Sequence, residues 1–188
     1  MCIRDSNKTL LGVHHMLRYF PLKKNNITIN DSNTEFLFSY KETTEIPIMP
    51  HPGSFGYVRK NHIHEGVDLY AEEGDDVVAI ENGVIRKIIP FTGEIANTPW
   101  WNNTYSIFVE HDGYIINYGE LIPISQLKEG SIIKAGEVIG NIRTVLLKDK
   151  GRPMAMLHIE MYQPESVAPV TEWSLNTNKP ENLSLIHI

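Results

Sequence analysis

The sequence predicts a mostly β fold, a compact antiparallel barrel or sandwich of short strands. Three observations carry that prediction. From Ile46 onward, short runs rich in β-branched and aromatic residues recur, each closed by a turn containing Gly or Asn. No segment after residue 45 keeps the apolar spacing of an amphipathic helix. The 13 Gly and 11 Pro among 188 residues supply the many turns such an architecture needs.

Composition narrows the class further. A chain of 188 residues, 41% hydrophobic and 21% charged, can bury one core but is too short for two full domains. A net charge of −6 speaks against nucleic acid as a partner, because phosphate contacts need a basic face. No apolar run reaches the roughly 20 residues of a membrane-spanning helix.

The two ends are set apart from the fold. Met1-Cys2-Ile3-Arg4-Asp5-Ser6 and Leu183-Ser184-Leu185-Ile186-His187-Ile188 back-translate to complementary strands of one DNA word. That word has the form of a transposon end used in sequencing-library preparation, so residues 1–6 and 183–188 are read as adapter scars. Cys2, the single cysteine, falls in the first of them. The remainder then offers no disulfide, cysteine nucleophile or thiolate ligand. Residues 7–45 read as an N-terminal extension, with an Asn-rich loop and a candidate edge strand at Glu35 to Tyr40, and residues 46–182 as the β domain.

Within that domain the elements follow in order. Val77 to Ile80 and Val84 to Ile89 flank Asn82-Gly83, which predicts a hairpin. Residues 90–105 form an insertion holding Trp100 and Trp101, rigid aromatics that either line a substrate groove or cover an open end of the sheet. Ser106 to His111 and Tyr114 to Tyr118 flank Asp112-Gly113, a second hairpin. With a two-residue turn, 108 pairs with 117 and 106 with 119. Ser106, Asn117 and Gly119 then share one face, while His111, Tyr118 and Glu120 point away from it. Lys134 to Glu137 makes a third turn between Ile132-Ile133 and Val138 to Gly140. Leu157 to Tyr162 is a further strand, with Met156, His158 and Glu160 on one face by alternation.

Histidines and carboxylates mark the chemistry. His64 and Asp68 lie four apart in His64-Glu65-Gly66-Val67-Asp68, and His158 follows far downstream. Two imidazoles and a carboxylate make a three-ligand set suited to zinc, with the fourth position left for water. The His-x-x-x-Asp spacing alone is common by chance. His14, His15 and His51 read as loop or surface residues, and the acid cluster Glu72, Glu73, Asp75 and Asp76 as a solvated turn.

The order of several motifs adds to that spacing. Gly53-Ser54-Phe55-Gly56-Tyr57-Val58-Arg59, His64 to Leu69, Gly74 to Gly83, Val109-Glu110-His111-Asp112-Gly113, Tyr118-Gly119-Glu120-Leu121, Gly130 to Gly140 and Leu157-His158-Ile159-Glu160 recur in one known arrangement. Over roughly residues 50–162 the chain resembles the lysostaphin-like (LytM-type) zinc metalloendopeptidases, which cut peptide cross-links of bacterial cell walls. The resemblance implies a duplicated hybrid-motif β fold with a groove floored by the metal. It implies zinc as cofactor and His64, Asp68 and His158 as its ligands. It also implies peptidoglycan peptides or a cell-wall partner protein as partners, and an extracytoplasmic or phage-particle setting.

The departures bear on catalysis. Where the family has a His-x-His pair, this chain has Met156-Leu157-His158, and the family's other proton-relay histidine is read at Gly119. A thioether carries no proton near neutral pH and glycine has no side chain. Glu160, Asn117 and His62 are the candidate substitutes. The sequence thus leaves open an active peptidase with an altered relay, a non-catalytic zinc-retaining relative that binds cell-wall peptides or a partner, and a lipoyl- or biotinyl-like carrier. The carrier reading has hammerhead-like Gly-bounded repeats and Lys134 near a turn, but lacks the usual lysine context.

Overall fold

The computed structural model describes residues 19–23, 46–148, 154–164, 166 and 172–184. The strands are β1 (Leu22–Lys23), β2 (Val67–Tyr70), β3 (Asp76–Val78), β4 (Gly83–Thr92), β5 (Thr104–Glu110), β6 (Ile115–Pro123), β7 (Ile132–Ile133), β8 (Val138–Ile142), β9 (Met156–Tyr162) and β10 (Leu183–Ser184). The only helical piece among the described residues is a 3-10 turn at Glu94–Ala96. Every strand pairing is antiparallel. The main path runs β1-β3-β8-β6-β5-β4-β7, and β9 branches from β6 to carry β2 and β10. The mostly antiparallel β class is as expected, but the sheet ends at β1 and β7 rather than closing into a barrel.

Of the predicted turns, Asp112-Gly113 is a true hairpin. Glu110 faces Ile115, the His111 amide donates to the Tyr114 carbonyl at 2.9 Å, and Gly113 takes φ 88°. The predicted Asn82-Gly83 hairpin does not form. β3 pairs with β1 and β8, whereas β4 pairs with β5 and β7. Asn82 instead ties two other segments. Its side-chain oxygen accepts from the Ala135 amide at 2.9 Å and its carbonyl lies 3.0 Å from His111 Nδ1. Long-range pairing overrides the local turn signal here because Gly83 runs against Ile133 and the Glu110 carbonyl. The turn at Lys134 to Glu137 forms, with Gly136 at φ 78°, but joins strands with different neighbours.

The main core lies on one side of the sheet, and a smaller cluster of Phe108, Ile115, Tyr162 and Leu183 is buried apart from it. Val67, Leu69, Ile107, Val109, Tyr118, Leu121, Leu157 and Ile159 are all buried within the main core. Burial of such side chains contributes about 1.5–3 kcal/mol each, before ordering entropy is counted. This fixes the register of β2, β9 and β6, since a one-residue slip would drive polar side chains into the core. On the opposite face, Asp68 stands directly across from His158, and His158 across from Gly119.

Tyr19 to Lys23 is the only described part of the N-terminal extension. There β1 pairs with β3 and Leu22 is fully buried. The candidate strand at Glu35 to Tyr40, and His14 and His15, lie outside the described residues. At the other end, Leu183 and Ser184 pair with Tyr162 and Met161, and Leu183 packs with Phe108, Ile115 and Tyr162.

Candidate metal centre

Two strands and one loop bring the predicted ligands together. Asp68 on β2 and His158 on β9 are cross-strand partners, whose Cβ atoms lie about 5 Å apart in such a pair. His64 enters from the preceding segment, held by backbone bonds between its amide and the Tyr57 carbonyl (2.9 Å) and between the Gly56 amide and its carbonyl (2.8 Å). Gly66 explains the close approach: a Cβ there would stand 2.7 Å from His158 Cε1 and clash with the Ile159 carbonyl. The glycine inside His-Glu-Gly-Val-Asp therefore makes room for an imidazole more than ninety residues away.

All three side chains are buried. His64 Nε2 lies 3.1 Å from Asp68 Oδ1 and 3.3 Å from His158 Nδ1, and His158 Nδ1 lies 2.8 Å from Asp68 Oδ1. Ligands about 2.0–2.1 Å from a tetrahedral zinc are spaced about 3.3 Å apart, so the 3.1 and 3.3 Å spacings suit such an ion, and the 2.8 Å hydrogen-bond spacing of His158 and Asp68 would open by about 0.5 Å to admit it. Hydrogen bonding fits it as well. The Ser54 carbonyl, 2.9 Å from His64 Nδ1, can only accept, so that nitrogen carries the proton and Nε2 presents its lone pair. The Glu160 carboxylate does the same for His158, 3.1 Å from Nε2, and leaves Nδ1 facing the cluster. Glu160 is fixed in turn by Asn117 Nδ2 (2.7 Å) and the Tyr162 hydroxyl (2.6 Å), both donating to Oε2.

Electrostatics follow from this packing. Burial holds His64 below the ordinary histidine value, more than Asp68 raises it. Burial opposes charge on His158 too, but hydrogen bonds to Asp68 and Glu160 prevail and raise it well above the ordinary value. Burial would raise Asp68, yet bonds from His158 and His64 hold it far below the carboxylate range. Glu160 is likewise brought down to about 2, chiefly by His158 against the effect of burial. These contacts favour a proton on His158, and a cation binding at the cluster competes with that proton.

Other candidates fall in varied places. Met156 lies half-buried opposite Tyr70. Gly119 faces the site, but a side chain there would press on the Phe91 ring, 3.1 Å from the built Cβ. Phe91 itself stacks on His158 with centroids 5.8 Å apart. His62 bridges Ser174 through its backbone and takes no part in the cluster's hydrogen bonds among the described residues. Trp100 is 61% exposed and lies edge-on to Trp101, which bridges Leu146. Lys134 donates its amide to Glu137 at 2.8 Å in its turn.

Two residues that sequence reasoning missed stand beside the cluster. Arg59 pairs with Asp68 Oδ2 and also donates to the Pro52 carbonyl at 3.3 Å. It comes from a loop, where no periodicity announces which way a side chain points. Glu120 was expected to face away, and the structure corrects this. β5 pairs one to one with β6 from Glu110 to Ile107, but Tyr105 faces Leu121, so Ser106 alone opposes both Gly119 and Glu120. That β-bulge breaks the alternation on which the expectation rested. Asp68, His158 and Arg59 are the charges that act on the Glu120 carboxyl.

No curated protein matches the chain. Among solved structures it is similar to Csd3 of Helicobacter pylori, with 20% identity and a TM-score of 0.45 over 86% of this chain and 36% of that one. It is similar to the catalytic domain of the antimicrobial peptidase lysostaphin from Staphylococcus simulans, with 21% identity and a TM-score of 0.43 over 59% of this chain and 77% of that one. LytU matches with 22% identity and a TM-score of 0.44, over 71% of this chain and 81% of that one. The chain thus spans 36% of the length of Csd3. Residues 62–170, more than half of the sequence and the stretch containing His64, Asp68 and His158, match the model for peptidase family M23, and the chain belongs to that family.

Proposed function

We propose that the chain is a zinc-dependent peptide hydrolase domain directed at bacterial cell-wall peptides, with His64, Asp68 and His158 holding the metal. The observation that carries this reading is the triad itself: three buried donor atoms within 4.8 Å of one another, both imidazoles oriented by fixed acceptors. When bound, zinc supplies an electrophile for the scissile carbonyl and activates a water. The chain's own residues do the rest. Ser54 and Glu160 lock the two imidazoles, Arg59 neutralises the second oxygen of Asp68, and Phe91 shields one side of His158. Peptidoglycan as the substrate rests on family membership and the sequence resemblance, and Trp100 and Trp101 are proposed to line its groove.

A second reading is a zinc-retaining relative that binds such peptides without cleaving them. Met156 favours it, because the site face of β9 there carries a thioether instead of a proton-bearing group. One experiment separates the two. The purified domain is assayed for zinc content and for release of soluble fragments from purified cell wall, with chelator-treated protein as control. Stoichiometric zinc with chelator-sensitive release supports the hydrolase, zinc without release supports the binder, and absence of zinc refutes both.

A further inference from the structure

The β-bulge opposite Ser106 has a chemical consequence. Tyr118 and Leu121 both lie in the core although three positions apart, which requires one extra residue between them. Glu120 absorbs it with φ 67°, left-handed backbone that costs a non-glycine residue about 1–3 kcal/mol. Glycine would fit that conformation freely, yet the position holds a glutamate whose Oε2 is sealed from solvent with no hydrogen-bond partner among the described residues. Ser106 Oγ, on the strand opposite, and Asn117 Oδ1, on the site face of β6, are also buried with no hydrogen-bond partner among the described residues. An unpartnered buried polar oxygen costs about 1–3 kcal/mol, and more if charged. Strain and desolvation thus coincide at one carboxyl, the pattern expected where a ligand or reacting water completes the contacts.

We propose that Glu120 is the proton carrier of the cleft, the group that relays a proton between the attacking water and the leaving amide nitrogen. This rests on the hydrolase reading above. Water's oxygen bonds to the carbonyl carbon while one of its protons passes to the Glu120 carboxylate. The carbon–nitrogen bond then breaks, and that proton passes from Glu120 to the departing amine. Glu120 ends as it began, and one water is consumed per bond cut. The charges facing it are Asp68 from β2, His158 from β9 and Arg59 from the loop. Burial first, then Asp68, push its carboxyl up to about 8, against the pull of His158 and Arg59. A buried carboxyl oxygen that no side chain among the described residues occupies is available to accept a proton and return it. Glu160 is occupied otherwise, since both its oxygens are bonded to side chains that orient His158 or fix the carboxylate.

The test compares the parent domain with Glu120→Gln and Glu120→Asp. Three quantities are read: release from purified cell wall, zinc affinity by competition titration, and the pH dependence of visible absorption in cobalt-loaded protein. The proposal expects Glu120→Gln to lower release by about 10²–10⁴-fold, with Glu120→Asp recovering part of it. Zinc affinity should stay within about threefold, well short of the 10–100-fold loss that follows damage to groups supporting a ligand. The midpoint of the cobalt absorption change should move by about one pH unit or more in Glu120→Gln. Parental release by Glu120→Gln, or an unmoved cobalt midpoint, overturns the proposal. If the parent binds neither cobalt nor zinc, the hydrolase reading falls and the Glu120 assignment with it. If it binds metal but cleaves nothing, the cobalt comparison decides alone: a moved midpoint supports Glu120 as the proton-bearing group at the site, and an unmoved one removes it.

Discussion

Replacing Glu160 with Gln should weaken zinc binding although residue 160 is not a ligand. In the parent, His158 Nε2 donates to Glu160 Oε1 at 3.1 Å, while Asn117 Nδ2 and the Tyr162 hydroxyl donate to Oε2 at 2.7 and 2.6 Å. A carboxylate accepts all three bonds; a carboxamide has one accepting oxygen and a donating NH₂. If the Gln oxygen stays with Asn117 and Tyr162, its NH₂ confronts His158 Nε2–H, and the imidazole relieves the clash by moving its proton to Nδ1. That is the nitrogen facing Asp68 and His64, so the lone pair needed by the metal is lost. If the amide turns the other way, Asn117 and Tyr162 lose their acceptor. A hydrogen bond to a charged group contributes about 1.5–3 kcal/mol, which corresponds to about a 10–100-fold loss of zinc affinity. Competition titration against a chromophoric chelator near neutral pH measures this, with circular dichroism confirming the fold. Acid unfolding gives an independent check. Glu160 is brought down to about 2, so its contribution is fully present above the ordinary carboxylate range and is lost as pH falls through that range toward about 2. Glu160→Gln should flatten that acid limb of the stability curve. Zinc affinity within about twofold of the parent would refute the orienting role.

Further outcomes follow from the same geometry. Gly66→Ala places a methyl group against His158 and the Ile159 carbonyl, and should lower thermal stability by about 2 kcal/mol or more and abolish tight zinc binding, as scanning calorimetry and zinc titration would show. Glu120→Gln should stabilise the metal-free protein in alkali by an amount on the order of 2 kcal/mol. Its folded value, about 8, lies above the ordinary carboxylate range, so the parent loses stability as pH rises from that range through about 8, and urea titrations across this window should show the variant losing less. Met156→His adds a proton carrier on the site face of β9 and should raise cell-wall release by about tenfold or more. Gly119→His must displace Phe91 from His158 and should lower the melting temperature without such a gain. Zinc at 100 times its dissociation constant should stabilise the domain by about 2.7 kcal/mol, an effect that chelator abolishes in a thermal melt.

The sequence by itself determined the strand-rich class, the Asp112-Gly113 hairpin and the ligand candidates. Each is local or carried by a motif: alternation places residues 156, 158 and 160 on one face, and Gly-bounded runs mark turns. The tertiary structure alone decided how those pieces meet. Asn82-Gly83 looks like a hairpin turn, yet β3 and β4 take different partners because burying Ile85, Val77 and Ile133 in one core outweighs a two-residue preference. It also decided where Glu120 points, since a single extra residue between Tyr118 and Leu121 reverses parity and leaves no trace in composition or spacing. The pairing of Arg59 with Asp68, and the room Gly66 leaves for His158, depend likewise on backbone segments distant in sequence becoming adjacent in space.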